Sequence, residues 1–78
     1  MTLVVDARGH QCPVPTLRLS RAMRLAGAET TLTLLATDPM ARIDVPHLVK
    51  QLGGQVLSVT EAEGLLTIVV VTPAAPPD

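Results

Sequence analysis

A chain of 78 residues, 47% hydrophobic and with no Phe, Tyr or Trp, has room for one domain with a small aliphatic core, and its single cysteine excludes an internal disulfide. Net charge is −1, from 6 basic and 7 acidic residues, so neither a basic surplus nor an aromatic platform exists for nucleic acid. No apolar run approaches the ~20 residues that span a bilayer, no charged and then apolar leader opens the chain, and Cys12 with His10 and His47 matches no structural zinc spacing. The expectation is a protein without metal or cofactor, bound to neither membrane nor nucleic acid. Its unpaired thiol suits a reducing cytoplasm.

The segment TLVVDA, ending at Asp6-Ala7, is β-branched and short and reads as a strand, and RGHQ after it reads as a loop. From Pro13 to Ala26 the period becomes helical: Leu19, Ala22, Met23 and Ala26 fall at i, i+3, i+4 and i+7 and gather on one face. Gly27 stops that helix. TTLTLLA (30–36) alternates and then turns wholly apolar, as a partly buried strand does. Two proline-marked turns or helix starts follow in TDPMARIDVP. Val45, Leu48, Val49 and Leu52 then mark a short helix closed by Gly53-Gly54. QVLSVTE and LLTIVVV, bridged by AEG, read as a hairpin.

This order, β-α-β-α-β-β, predicts an α+β fold: a two-layer α/β sandwich with a four-stranded mixed sheet and two helices on one face. The helical crossover should leave the first two strands parallel. Residues 1–72 are expected to form one domain and 73–78, rich in proline, a disordered tail.

The unusual stretch is GHQCPVP, residues 9–15. Proline suits the first helical position, since the N–H it lacks would have no intrahelical partner there. Pro13 at that position makes Cys12 the N-cap and favours the extended backbone a cap needs. The thiol then sits at the positive end of a helix dipole, where its pKa is expected to fall. Pro15 removes one of the usual capping donors and leaves the Val14 N–H to face the sulfur. Pro15 also disfavours helical geometry at Val14, so the turn should be stiff. Gly9 lets the backbone turn sharply just before it. From spacing alone, a buried filler cysteine and a reactive thiol both stay open.

Neighbouring groups also carry two readings each. His10 is a cation or acid–base group beside the thiol, or a solvated loop residue. Arg18, Arg21 and Arg24 form a basic stripe that is either solvated surface or a docking face for an acidic partner. Asp38 and Asp44, each close to a proline, read as helix caps first and as catalytic carboxylates second.

DARGHQCPVP, with Asp6, Gly9, Cys12, Pro13 and Pro15 in the spacing D-x-x-G-x-x-C-P-x-P, followed by ATDP (36–39), DVP (44–46) and a late Gly64, resembles the TusA-like, or SirA-like, sulfur-carrier family. The resemblance spans about residues 3–71. It implies a sulfurtransferase-type carrier in which Cys12 accepts sulfur as a persulfide from a donor such as a cysteine desulfurase or rhodanese. Cys12 would then pass it to a downstream acceptor protein in tRNA thiolation, molybdenum-cofactor sulfuration or sulfur oxidation. It implies partner contacts at Arg18 and Arg21 on the first helix and at Asp38 and Asp44. The chain departs from the pattern at Ile43, where a basic residue is usual, and at His47-Leu48, where an aromatic is common. Those changes imply a second-helix surface suited to a different partner. A regulatory or binding module of the same fold, and a thiol-redox sensor, are the alternatives.

Overall fold

The computed structural model describes residues 2–74, and the remainder of the tail expected over 73–78 lies outside the described residues. The order is β1 (Thr2–Ala7), α1 (Val14–Ala26), β2 (Thr31–Ala36), α2 (Ala41–Gln51), β3 (Gln55–Ala62) and β4 (Leu65–Val71). The strands form one mixed sheet in the order β1-β2-β4-β3, with β1 parallel to β2 and the other pairs antiparallel. The expected α+β two-layer architecture is the one observed.

Alternation along the two central strands creates the core. Leu32, Leu34 and Ala36 of β2 stand opposite Val70, Ile68 and Leu66 of β4, and all six are buried. Helical spacing supplies the other wall: Pro15, Leu19 and Met23 repeat every fourth residue on α1, as Ala41, Val45 and Val49 do on α2. Ala22, Ala26, Leu48 and Leu52 pack at its margin. The interior is aliphatic throughout, as the composition requires.

The β3–β4 turn is Glu63-Gly64, with φ of 51° and 82°, both in the left-handed region that a two-residue type I′ hairpin needs. Beyond β4, Thr72 is buried, accepts the Thr30 N–H at 2.7 Å and donates its hydroxyl proton to the Gly27 carbonyl at 2.7 Å. Pro73 accepts the Glu29 N–H at 3.1 Å, so the packed body reaches at least that residue.

The start of the second helix differs from the sequence expectation. Pro46 reads as a second helix start, but α2 begins at Ala41 and Pro46 lies inside it. The helix starts earlier because the Asp38 and Pro39 carbonyls accept the Ala41 and Arg42 N–H groups, at 3.0 and 3.1 Å. Pro46 only deprives the Arg42 carbonyl of its helical donor.

Since β1 and β2 are parallel and each leads into a helix, the C-terminal ends of both strands and the N-terminal ends of both helices share one pole of the molecule. Cys12 lies at that pole.

Candidate functional site

Two loops meet at the pole. The β1–α1 loop carries Gly9 to Pro13, and the β2–α2 loop carries Thr37 to Met40. The second holds the first through two side-chain acceptors: the Thr37 hydroxyl takes the Gly9 N–H at 2.8 Å, and Asp38 Oδ2 takes the Cys12 N–H at 2.7 Å. Asp38 Oδ1 also accepts the Met40 N–H at 3.0 Å, closing an Asx turn at the entrance to α2. One carboxylate thus organises both loops. These bonds hold the Asp38 carboxyl below its ordinary pKa, the Cys12 N–H contributing most and the Met40 N–H next.

Upstream, Asp6 grips Arg8 through Oδ1 to Nε at 2.9 Å and Oδ2 to Nη2 at 2.7 Å, and this pairing holds its carboxyl down to about 2. The His10 N–H donates to the Ala7 carbonyl at 3.2 Å, and Gly9 takes a φ of 81° at that turn. The freedom assigned to Gly9 is therefore used.

Cys12 is half-buried, with one side packed against the core. Its role as N-cap is corrected: α1 begins at Val14, Pro13 is the cap residue, and no side chain makes a capping bond. The Cys12–Pro13 peptide is cis. With α1 beginning at Val14, Pro15 is the second helical residue and not the third. The Val14 N–H, expected to face the sulfur, instead donates to the Gln11 carbonyl at 3.0 Å.

The direction of the thiol's pKa is also corrected. Burial pushes Cys12 up; the Thr16 hydroxyl opposes this; the Asp38 and Asp44 carboxylates push it up further. A helix start favours an anion mainly through its free N–H groups, and here two belong to prolines that have none and a third is spent on Gln11. Sγ lies 3.9 Å from Thr16 Oγ1, one turn along α1. Thr16 is not among the residues the sequence pattern singles out, although its i+4 spacing from Cys12 is visible there.

Other expected site residues are distributed around this centre. Asp44, in the first turn of α2, is half-buried and does not cap that helix. Arg18 is exposed but donates from Nη1 to the Asp6 carbonyl at 3.1 Å, which ties α1 to the end of β1. Arg21 and Arg24 are exposed and form no ion pair among the described residues. His10 and His47 are both exposed, His47 on α2. No three His, Cys, Asp or Glu side chains converge as metal ligands among the described residues. Beside the loop is a depression of about 270 Å³ lined by Gly9, His10, Gln11, Thr37, Asp38 and Pro39. A larger cavity of about 340 Å³ lies at the other pole, among Met23, Gly27, Leu52 and Thr72.

A half-exposed sulfur on a pinned loop, beside an open depression among the described residues, suits chemistry with another macromolecule. Comparisons with known proteins agree with that shape. The family model described as sulfurtransferase TusA matches residues 3–72. The Pseudomonas putida sulfur carrier protein TusA is 38% identical over 61 residues, which are 78% of this chain and 76% of that one. A relative from Archaeoglobus fulgidus is 39% identical over 67 residues, 85% of this chain and 87% of its own. In fold, the crystal structure of a SirA-like protein from Desulfitobacterium hafniense superimposes with a TM-score of 0.82 at 25% identity, covering 94% of this chain and 99% of that one. With the match running from the first strand to just beyond the last, this chain belongs to the sulfurtransferase TusA family.

Proposed function

We propose that the protein is a sulfur carrier, taking up a sulfane sulfur as a persulfide on Cys12 and delivering it to an acceptor protein. The observation that carries this reading is the attitude of Cys12 in a TusA-family chain: half-exposed, at the pole where both helices begin, with its main chain clasped by Asp38.

In uptake, the Cys12 thiolate attacks the terminal sulfur of a donor's cysteine persulfide. A new S–S bond forms, the donor's S–S bond breaks, and the electron pair leaves on the donor's thiolate, which takes up a proton. Delivery repeats the step: an acceptor thiolate attacks the outer sulfur and Cys12 departs as thiolate. No external oxidant or reductant is consumed. A thiol held above its ordinary pKa is ionised less often, but its thiolate is the stronger nucleophile. A persulfide is more acidic than its parent thiol, so the loaded form ionises more readily beside the same carboxylates.

Donor and acceptor are both proteins on this reading, a cysteine desulfurase or rhodanese among the donors, and an open, exposed pole admits them where a deep cleft would not. Arg21, exposed midway along α1 and without an ion pair among the described residues, offers a basic contact on the flank of that pole, whereas Arg24 in the last turn lies toward the opposite end. Asp38 serves first as the clasp of the sulfur loop, and Asp44 lends negative charge beside the sulfur. The protein would work in the cytoplasm, where thiols stay reduced; tRNA thiolation is one relay such a carrier serves. Incubation with a cysteine desulfurase and free cysteine, followed by intact mass, tests the proposal. One added sulfur that is absent in Cys12→Ser supports it, and an unchanged mass favours a binding module. Rapid oxidation by peroxide with indifference to persulfide donors favours a redox sensor.

A further inference from the structure

The sequence C-P-V-P removes the donors that would ordinarily stabilise an anion at a helix start. Pro13 and Pro15 have no N–H, the Val14 N–H is taken by the Gln11 carbonyl at 3.0 Å, and the Cys12 N–H is taken by Asp38 at 2.7 Å. The Leu17 N–H is already inside the helical ladder, bonded to the Pro13 carbonyl at 2.9 Å. What remains in the first turn is Thr16, half-buried, with its hydroxyl 3.9 Å from the Cys12 sulfur.

We propose that Thr16 is the anion-stabilising residue of the sulfur site: its hydroxyl turns from accepting the Cys12 thiol proton to donating its own when that sulfur is ionised. The inference rests on Cys12 being the working sulfur of the proposed carrier. A hydroxyl can do this because it is both donor and acceptor and rotates freely about its C–O bond. The change needs only the loss of the thiol proton to water. The charged groups facing the sulfur are the carboxylates of Asp38, from the β2–α2 loop, and Asp44, from α2, both opposing ionisation. His10, two residues earlier, is exposed. Against two carboxylates, and with the Cys12 and Val14 amides spent, the Thr16 hydroxyl is the polar side-chain contact the sulfur retains.

The test compares wild type, Thr16→Val and Thr16→Ser by rate of iodoacetamide alkylation from pH 6 to pH 11, with circular dichroism confirming the fold of each. Loss of a hydrogen bond to a charged group should move the Thr16→Val midpoint up by about one pH unit. The rate at neutral pH then falls only about threefold, because the more basic thiolate regains part of the loss in nucleophilicity. Thr16→Ser, which keeps the hydroxyl, should follow the wild-type profile. A Thr16→Val profile that superimposes on wild type overturns the proposal, and so does a Thr16→Ser profile displaced as far as that of Thr16→Val. Alkylation needs no persulfide donor. A wild type that alkylates with the expected profiles but never gains sulfur from a desulfurase would therefore refute the carrier reading and leave the role of Thr16 standing.

Discussion

Asp38 accepts the main-chain N–H of Cys12 across 26 residues of sequence, at 2.7 Å, and with its other oxygen accepts the N–H of Met40. The sulfur loop and the entrance to α2 are thereby one unit. Removing the carboxylate by Asp38→Ala should free the loop while the sheet stays intact. Hydrogen exchange at the Cys12 amide is expected to quicken by about tenfold or more, with exchange in β2 and β4 unchanged. Equal acceleration in the sheet would mean that Asp38 supports the whole fold and not this loop.

Acid should find the same clasp. Asp38 and Asp6 both titrate below their ordinary value of 3.8 in the folded protein, Asp6 at about 2. Between those values the unfolded chain binds more protons than the folded one, so stability falls as pH falls. The contribution is complete above about pH 4 and is lost on the way to pH 2. Urea midpoints measured from pH 5 to pH 2 should decline, and Asp38→Asn, which cannot titrate, should decline less steeply.

The two carboxylates beside the sulfur make its reactivity depend on local charge. Asp44→Asn should shift the pH profile of Cys12 alkylation downward, by about half a pH unit for one partly solvated charge. Salt at about 0.5 M should move the wild type in the same direction through screening. An upward shift in either case would contradict the electrostatic account of the thiol.

Much of this arrangement is legible along the chain, and its failures share a cause. β1 and β4 match the reading because short β-branched runs such as TLVVDA and LLTIVVV are a local signal. The family pattern, too, singles out Cys12 from adjacent residues. The direction of the thiol's pKa is not legible locally, because packing of α1 on the core buries the sulfur, Asp38 and Asp44 reach it from another part of the fold, and the Val14 amide turns back to Gln11. α2 starts before its expected position because the Asp38-Pro39 carbonyls, not Pro46, set its first turn. The stripe of Arg18, Arg21 and Arg24 leaves open in sequence whether Arg18 is solvated or a docking charge, and its bond to the Asp6 carbonyl depends on α1 packing along β1, which no local pattern shows.

Close packing at the opposite pole predicts a ranking of two glycines. A Cβ added at Gly54 would sit 2.5 Å from the Val71 carbonyl oxygen, which is sheet backbone, and 3.0 Å from Met23 Cε. At Gly64 it would meet nothing within 4 Å, and only the φ of 82° opposes it. Gly54→Ala should therefore cost about 2–3 kcal/mol or prevent folding, and Gly64→Ala about 1–2 kcal/mol. Urea denaturation of both variants checks the order, and the reverse order would contradict the packing described.

The most direct measurement places the added sulfur on a peptide. Trypsin cutting after Arg8 and Arg18 releases residues 9–18, which contain Cys12. After loading with a cysteine desulfurase and cysteine, desalting and non-reducing digestion, the account predicts one extra sulfur on that peptide, removed by dithiothreitol and passed to an acceptor thiol when one is supplied. An unmodified 9–18 peptide from protein whose β-sheet is intact would contradict it.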